Sequence, residues 1–113
     1  ATTFEFDGTN WTAGGNLNTA RSRTGVAGIQ TAALGFGGDT PSTYPAQTEE
    51  YDGTSWSASA NLALGRQRLT KGSGSSTAAL GSGGYSTTTA SVTSTEEFTG
   101  ATETATAKTL TTS

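Results

Sequence analysis

The chemistry open to this chain is bounded first by what it lacks: it has no His, no Cys and no Met. That removes the side chain that titrates near neutral pH, thiol nucleophiles, disulfides and the usual transition-metal ligands together. The paired acids are Glu49-Glu50 and Glu96-Glu97. Neighbours in a strand point to opposite faces, so neither pair can hold two carboxyls about one bond as acid and base. Asp39 and Asp52 are conceivable calcium ligands, but no stretch resembles a calcium loop. The expectation is a non-enzymatic chain with no metal and no cofactor. Binding chemistry remains: Tyr44 and Tyr85 lie in polar stretches where a ring can stack on a sugar or a partner surface. Asp39, Asn18 and Asn61 bring hydrogen-bonding groups to loops of the same kind.

The elements that must position these residues are strands. Of 113 residues, 31% are hydrophobic and 13% charged, and Thr, Ser, Ala and 16 Gly fill much of the rest. A large buried core is therefore not expected, and Thr with Gly-rich turns favours an all-β fold. The net charge is −3 and the six Lys and Arg are dispersed, which leaves no footprint for nucleic acid. No apolar run is long enough to cross a bilayer as a helix. Without Cys, the redox compartment is undetermined.

Order at fixed spacing argues against a disordered linker of similar composition. Asp7-Gly8-Thr9-Asn10-Trp11 recurs 45 residues on as Asp52-Gly53-Thr54-Ser55-Trp56, and Leu17, Arg21 and Arg23 recur in step as Leu62, Arg66 and Arg68. Thr31-Ala32-Ala33-Leu34-Gly35-Phe36-Gly37-Gly38 recurs 46 on, through Thr77-Ala78-Ala79-Leu80 to Gly83-Gly84. Thr48-Glu49-Glu50-Tyr51-Asp52-Gly53 recurs 47 on as Thr95-Glu96-Glu97-Phe98-Thr99-Gly100. The slippage falls only in expected loops. A period in the high forties, built from strand formers and Gly-rich turns, fits a four-stranded propeller blade. Helical repeats would need a sustained three-and-four apolar spacing that is absent.

Four strands are expected in the complete copy, over Thr24–Gly28, Thr31–Phe36, Thr48–Asp52 and Trp56 towards Leu62. The next copy maps to Thr70–Gly74, Thr77–Ser82, Thr95–Thr99 and Thr102–Leu110, and a hairpin over Thr3–Trp11 precedes both. Gly37-Gly38 and Gly83-Gly84 serve sharp turns or close backbone approach. Asp52-Gly53 is a hairpin signal.

A Gly-Gly pair after an apolar strand, a Tyr before Asp-Gly, a Trp and then an Arg resemble the Kelch repeat, with the pattern complete in Gly37-Gly38, Tyr51, Trp56 and Arg66. The Thr-, Ser- and Gly-rich style is also similar to Kelch-like repeats in bacteriophage tail and fibre proteins. The resemblance implies an all-β fold of Kelch-like blades of four antiparallel strands. It divides the chain into a hairpin of a preceding blade (1–20), a complete blade (21–65) and a divergent one (66–113), in which Thr99 and Glu103 replace the expected Asp and Trp. Copper-oxidase members of the family use His and a Cys-linked Tyr, which this chain lacks.

On the same resemblance, Trp11 and Trp56 fill the wedge between blades. Phe6, Tyr51 and Phe98 share one position whose hydroxyl is dispensable, and Arg21 and Arg66 hydrogen-bond between blades. The 39–47 and 85–94 loops share a face with the connections carrying Asn16, Asn18 and Asn61. Tyr44 and Tyr85 are the exposed aromatics expected to meet a ligand. Two blades and a hairpin cannot close a ring of about four to eight. The chain is thus expected to belong to a larger propeller, through missing earlier residues or through association of identical copies. The function expected is a virion tail or fibre component, or an extracellular adhesin, contacting a host receptor or surface glycan. The competing expectation is a protein-interaction module recruiting a peptide.

Overall fold

The computed structural model describes residues 2–69, 72–87 and 91–99, and the backbone of 106–108. Its described residues form an all-β fold of three antiparallel sheets. Sheet 1 is the hairpin β1 (Phe4–Phe6) and β2 (Trp11–Ala13). Sheet 2 runs in chain order through β3 (Gly25–Ile29), β4 (Ala32–Phe36), β5 (Thr48–Tyr51) and β6 (Trp56–Ala58). Sheet 3 repeats that order with β7 (Ser73–Gly74), β8 (Ala79–Ser82), β9 (Thr95–Phe98) and β10 (Thr106–Lys108). Thr70, Glu103 and the rest of the stretch expected as the final strand lie outside the described residues.

The sequence repeat reappears as a repeat of register. Ala33, Leu34, Gly35 and Phe36 pair with Tyr51, Glu50, Glu49 and Thr48, and Ala79, Leu80, Gly81 and Ser82 pair with Phe98, Glu97, Glu96 and Thr95. The turns that hold this register are local chemistry. Asp7 Oδ1 accepts the N–H of Thr9 and Asn10 at 2.8 and 2.7 Å, and Asp52 Oδ1 accepts those of Thr54 and Ser55, both at 2.8 Å. Gly8 and Gly53 supply the positive φ that each turn needs, 99° and 95°. These backbone donors favour the carboxylate, so both aspartates titrate below the ordinary value.

Alternation in the strands gives each sheet two faces, and the core forms where sheet 2 meets sheet 3. Ala27, Leu34 and Phe36 pack with Leu62, Leu69, Ala79 and Phe98. Phe36 sits in a socket of glycines: a Cβ on Gly25, Gly72 or Gly81 would come within 2.4, 2.7 or 2.6 Å of its ring. Small residues here are thus a volume requirement of the interface. The equivalent leucines report which face is covered. Leu34 is fully buried between the sheets, whereas Leu80, on the far face of sheet 3, is 49% exposed.

Candidate functional site

Two buried ion pairs set the geometry of the loop end. Arg21 Nη2 donates to Glu49 Oε2 at 2.8 Å, with side chains 0% and 4% exposed, and Arg66 Nη2 donates to Glu96 Oε2 at 2.5 Å, with side chains 0% and 1% exposed. Each arginine also clasps both stems of the long loop in its own repeat. Arg21 Nη1 donates to Gly37 O at 3.2 Å and Gln47 O at 2.7 Å; Arg66 Nη1 donates to Gly83 O at 3.2 Å and Ser94 O at 2.8 Å. Burial draws the pKa of Arg21 down, opposed by the charge and hydrogen bond of Glu49.

The expectation that these arginines bond between repeats is corrected: they bond inside their own sheet's loop, and the carboxylates make the crossing. Glu49 accepts the N–H of Asn18 at 2.7 Å and of Thr19 at 3.4 Å, from the connection leaving sheet 1. Glu96 accepts those of Ala63 at 2.5 Å and Leu64 at 3.4 Å, from the connection leaving sheet 2. Glu49 and Glu96 are the residues that sequence reasoning missed. Their signal was present: each lies opposite a repeated glycine, Gly35 or Gly81, on the face that turns towards the preceding sheet.

Three other expectations also change. Trp11 does not fill a wedge: it is 68% exposed and stacks on Phe6 of its own hairpin, centroids 5.0 Å apart, because nothing among the described residues stands in front of it. Trp56 is half-buried and stacks on Tyr51 with the same 5.0 Å separation. The Tyr51 hydroxyl is not idle, since it donates to Glu5 Oε1 across sheets 1 and 2, and this hydrogen bond raises its pKa. Phe6 and Phe98, at the matching position, have no hydroxyl to give. Tyr44 is half-buried, with its backbone carbonyl against Gly65, where a Cβ would approach to 2.2 Å.

The long loops do lie beside the connections between sheets. Ser22 bridges Asp39, Gln67 bridges Tyr85, and the Gly38 N–H donates to Arg66 O at 2.8 Å. Gly37 and Gly38 have φ of 63° and 112°, and Gly83 and Gly84 of 70° and 94°. A Cβ on Gly37, Gly38 or Gly84 would strike a carbonyl of the adjoining connection at 2.5, 2.8 or 2.4 Å. Asn18 and Asn61 line one polar cleft of about 340 Å³ with Gln47 and Ser59, where Asn18 Nδ2 donates to Trp56 O at 2.8 Å.

At the start of each inner strand stands a second arginine in the left-handed region, Arg23 at φ 54° and Arg68 at 55°. The Arg68 N–H donates to Arg23 O at 3.1 Å and so joins the two copies. Their side chains differ. Arg23 is held by Asp39 at 2.8 Å and Gln67 at 3.0 Å. Arg68 lies over the ring of Tyr85, 5.8 Å from its centroid, and among the described residues has no carboxylate partner. Tyr85 is 43% exposed. A contact of this exposed kind contributes only about 0.5–1 kcal/mol, so little free energy holds the Arg68 and Tyr85 side chains together.

No group of three or more His, Cys, Asp or Glu among the described residues could hold a metal, and no described helix is long and apolar enough to cross a membrane. No protein-family model and no curated protein matches the sequence.

Proposed function

We propose that this chain is a non-enzymatic binding module of Kelch-like propeller blades, within a virion tail or fibre or an extracellular adhesin, that contacts a surface glycan through its loop end. The juxtaposition of Arg68 and Tyr85 carries the reading: an exposed ring that can stack on a sugar lies beside a guanidinium that can hydrogen-bond its substituents. The buried ion pairs and loop clasps support it, because they fix the scaffold below and leave the loops to recognition. The repeated strand order supports the blade assignment, with sheet 1 as the outer hairpin of a further blade supplied by the same longer chain or by another copy. A glycan array tests this. Binding by the wild type with about tenfold or greater loss in Tyr85→Ala, roughly the contribution of one stacking anchor, is the expected outcome. Silence of the wild type on all glycans would sink the adhesion reading.

A second reading, recruitment of a peptide partner, is favoured by the charge of Arg68, which has no carboxylate partner among the described residues and suits an acidic side chain. Capture of an acidic peptide, lost in Arg68→Gln, combined with silence on glycans would select it.

A further inference from the structure

The two copies of the loop end differ at one position that meets an arginine. Ser22 and Asp39 form a backbone bridge in the first copy, with N–H to carbonyl bonds of 3.0 and 2.8 Å, and Gln67 and Tyr85 form the same bridge in the second, at 2.9 and 3.0 Å. Asp39 and Tyr85 are therefore one structural position. The arginine facing it is also equivalent, Arg23 or Arg68, with φ of 54° or 55°. Few residues other than glycine, asparagine and aspartate settle in that left-handed region, so an arginine there in both copies points to a task for its guanidinium. In the first copy the charge is answered from within: Arg23 Nη1 donates to Asp39 Oδ2 at 2.8 Å and to Gln67 Oε1 at 3.0 Å. In the second copy a ring takes the place of the aspartate, its centroid 5.8 Å from Arg68 Cζ, and among the described residues no carboxylate pairs with Arg68. Asp39 and Tyr85 each belong to the same repeat as the arginine they meet, so the contrast is set within each copy.

Asp39 thus shows what such an arginine accepts. A carboxylate held on Arg23 is a charge-assisted contact, and a ligand bringing the same chemistry would satisfy Arg68. We propose that the loop end takes an acidic glycan, with a carboxylate or sulfate on Arg68 and the apolar face of the same sugar on Tyr85, and that Asp39 closes the equivalent place on Arg23. A uronic or sulfated sugar carries an apolar ring face and an acid at its rim in one unit, which matches an exposed ring and a guanidinium 5.8 Å apart. An acidic peptide side chain brings the charge without the stacking face. The net charge of −3 gives no general attraction for acids, so the selection is local. The proposal rests on the glycan reading above and adds to it the charge of the ligand and the residue that confines it to one copy.

The test titrates the intact chain with uronate and sulfated oligosaccharides and with their methyl-esterified and desulfated counterparts. The acidic forms should bind about tenfold or more tightly than the neutral ones, the scale of a hydrogen bond to a charged group, and the preference should shrink with added salt. The uronate and sulfate arms tell which acid is taken. Arg68→Gln should erase the preference while leaving the weaker binding of the neutral forms. Two exchanges test Asp39 directly, with Tm measured as a check on folding: Tyr85→Asp copies the first repeat and should close the site, and Asp39→Tyr copies the second and should add a second equivalent of acidic ligand. Equal affinity for acidic and neutral forms overturns the proposal and leaves the glycan reading standing. Silence on every sugar overturns both, and capture of an acidic peptide in that case selects the peptide. An Asp39→Tyr chain that folds and gains no binding overturns the part given to Asp39.

Discussion

Replacing Glu96 by alanine should be among the most damaging single changes in this chain. The carboxylate is 1% exposed and lies against an arginine that is 0% exposed, and it also accepts the Ala63 N–H. Removing one partner of a buried pair costs about 3–5 kcal/mol because the other charge is left uncompensated. Total stabilities of about 5–15 kcal/mol are usual, so the variant should lose well over about 10 °C in Tm at roughly 4–8 °C per kcal/mol. Arg66→Met in the same chain removes the stranded charge. The double variant should therefore be more stable than Glu96→Ala alone, although the clasp on Gly83 and Ser94 goes with it. Urea unfolding followed by tryptophan fluorescence gives the four corners of the cycle. A loss below about 1 kcal/mol for Glu96→Ala, or strictly additive single costs, would refute the claim that these two side chains act as one buried unit.

Gly81→Ala inserts a methyl about 2.6 Å from the Phe36 ring and should cost about 1–3 kcal/mol in urea unfolding, partly regained with Phe36→Leu. Asp52 has a folded pKa below its unfolded value, so its contribution is present above about pH 4 and is lost as pH falls through the folded value. Asp52→Asn should accordingly flatten the acid limb of the stability curve measured from pH 2 to 7. Tyr51 has the opposite sign: its pKa is raised by Glu5, so its stabilisation is complete below about pH 10 and is lost as the phenol ionises above that. Tyr51→Phe should lower Tm at pH 7 and show a shallower decline on the alkaline side.

Strands and turns were legible because they depend on local chemistry that the repeat displays twice. Asp-Gly before Trp, Gly-Gly after an apolar strand and the period itself place β3 to β6 within one or two residues at most ends. Residues read as copies of one position, Trp11 with Trp56 and Phe6 with Tyr51 and Phe98, behave differently because neighbours decide. Trp11 and Trp56 have equivalent stacking partners, but among the described residues Trp56 shares a groove with Thr3 to Phe6 of sheet 1 while Trp11 stays 68% exposed. The hydroxyl of Tyr51 has meaning only beside Glu5, a contact that spans the two sheets. The partners of Glu49 and Glu96 went unread for a further reason: adjacent glutamates in a strand look like solvated charges, and strand geometry puts one of each pair inward without saying what awaits it. The close approach of Gly65 to the backbone of the loop that carries Tyr44 comes from a connection that sequence spacing does not locate.

The guanidinium that grips both stems of each long loop has an evolutionary consequence. Gly37 and Gln47 are fastened to Arg21, and Gly83 and Ser94 to Arg66, while Gly38, Asp39, Ala46 and Tyr85 just inside these stems bond the adjoining connections, so the freedom to vary lies in the residues between those contacts. The two excursions already differ in length by one residue over equivalent backbone anchors. Such a cassette can be lengthened, shortened or rewritten while its hinge points stay fixed, so mutation can explore new surfaces without spending the stability of the framework. Grafting a foreign segment between the same anchors is the engineering form of that freedom.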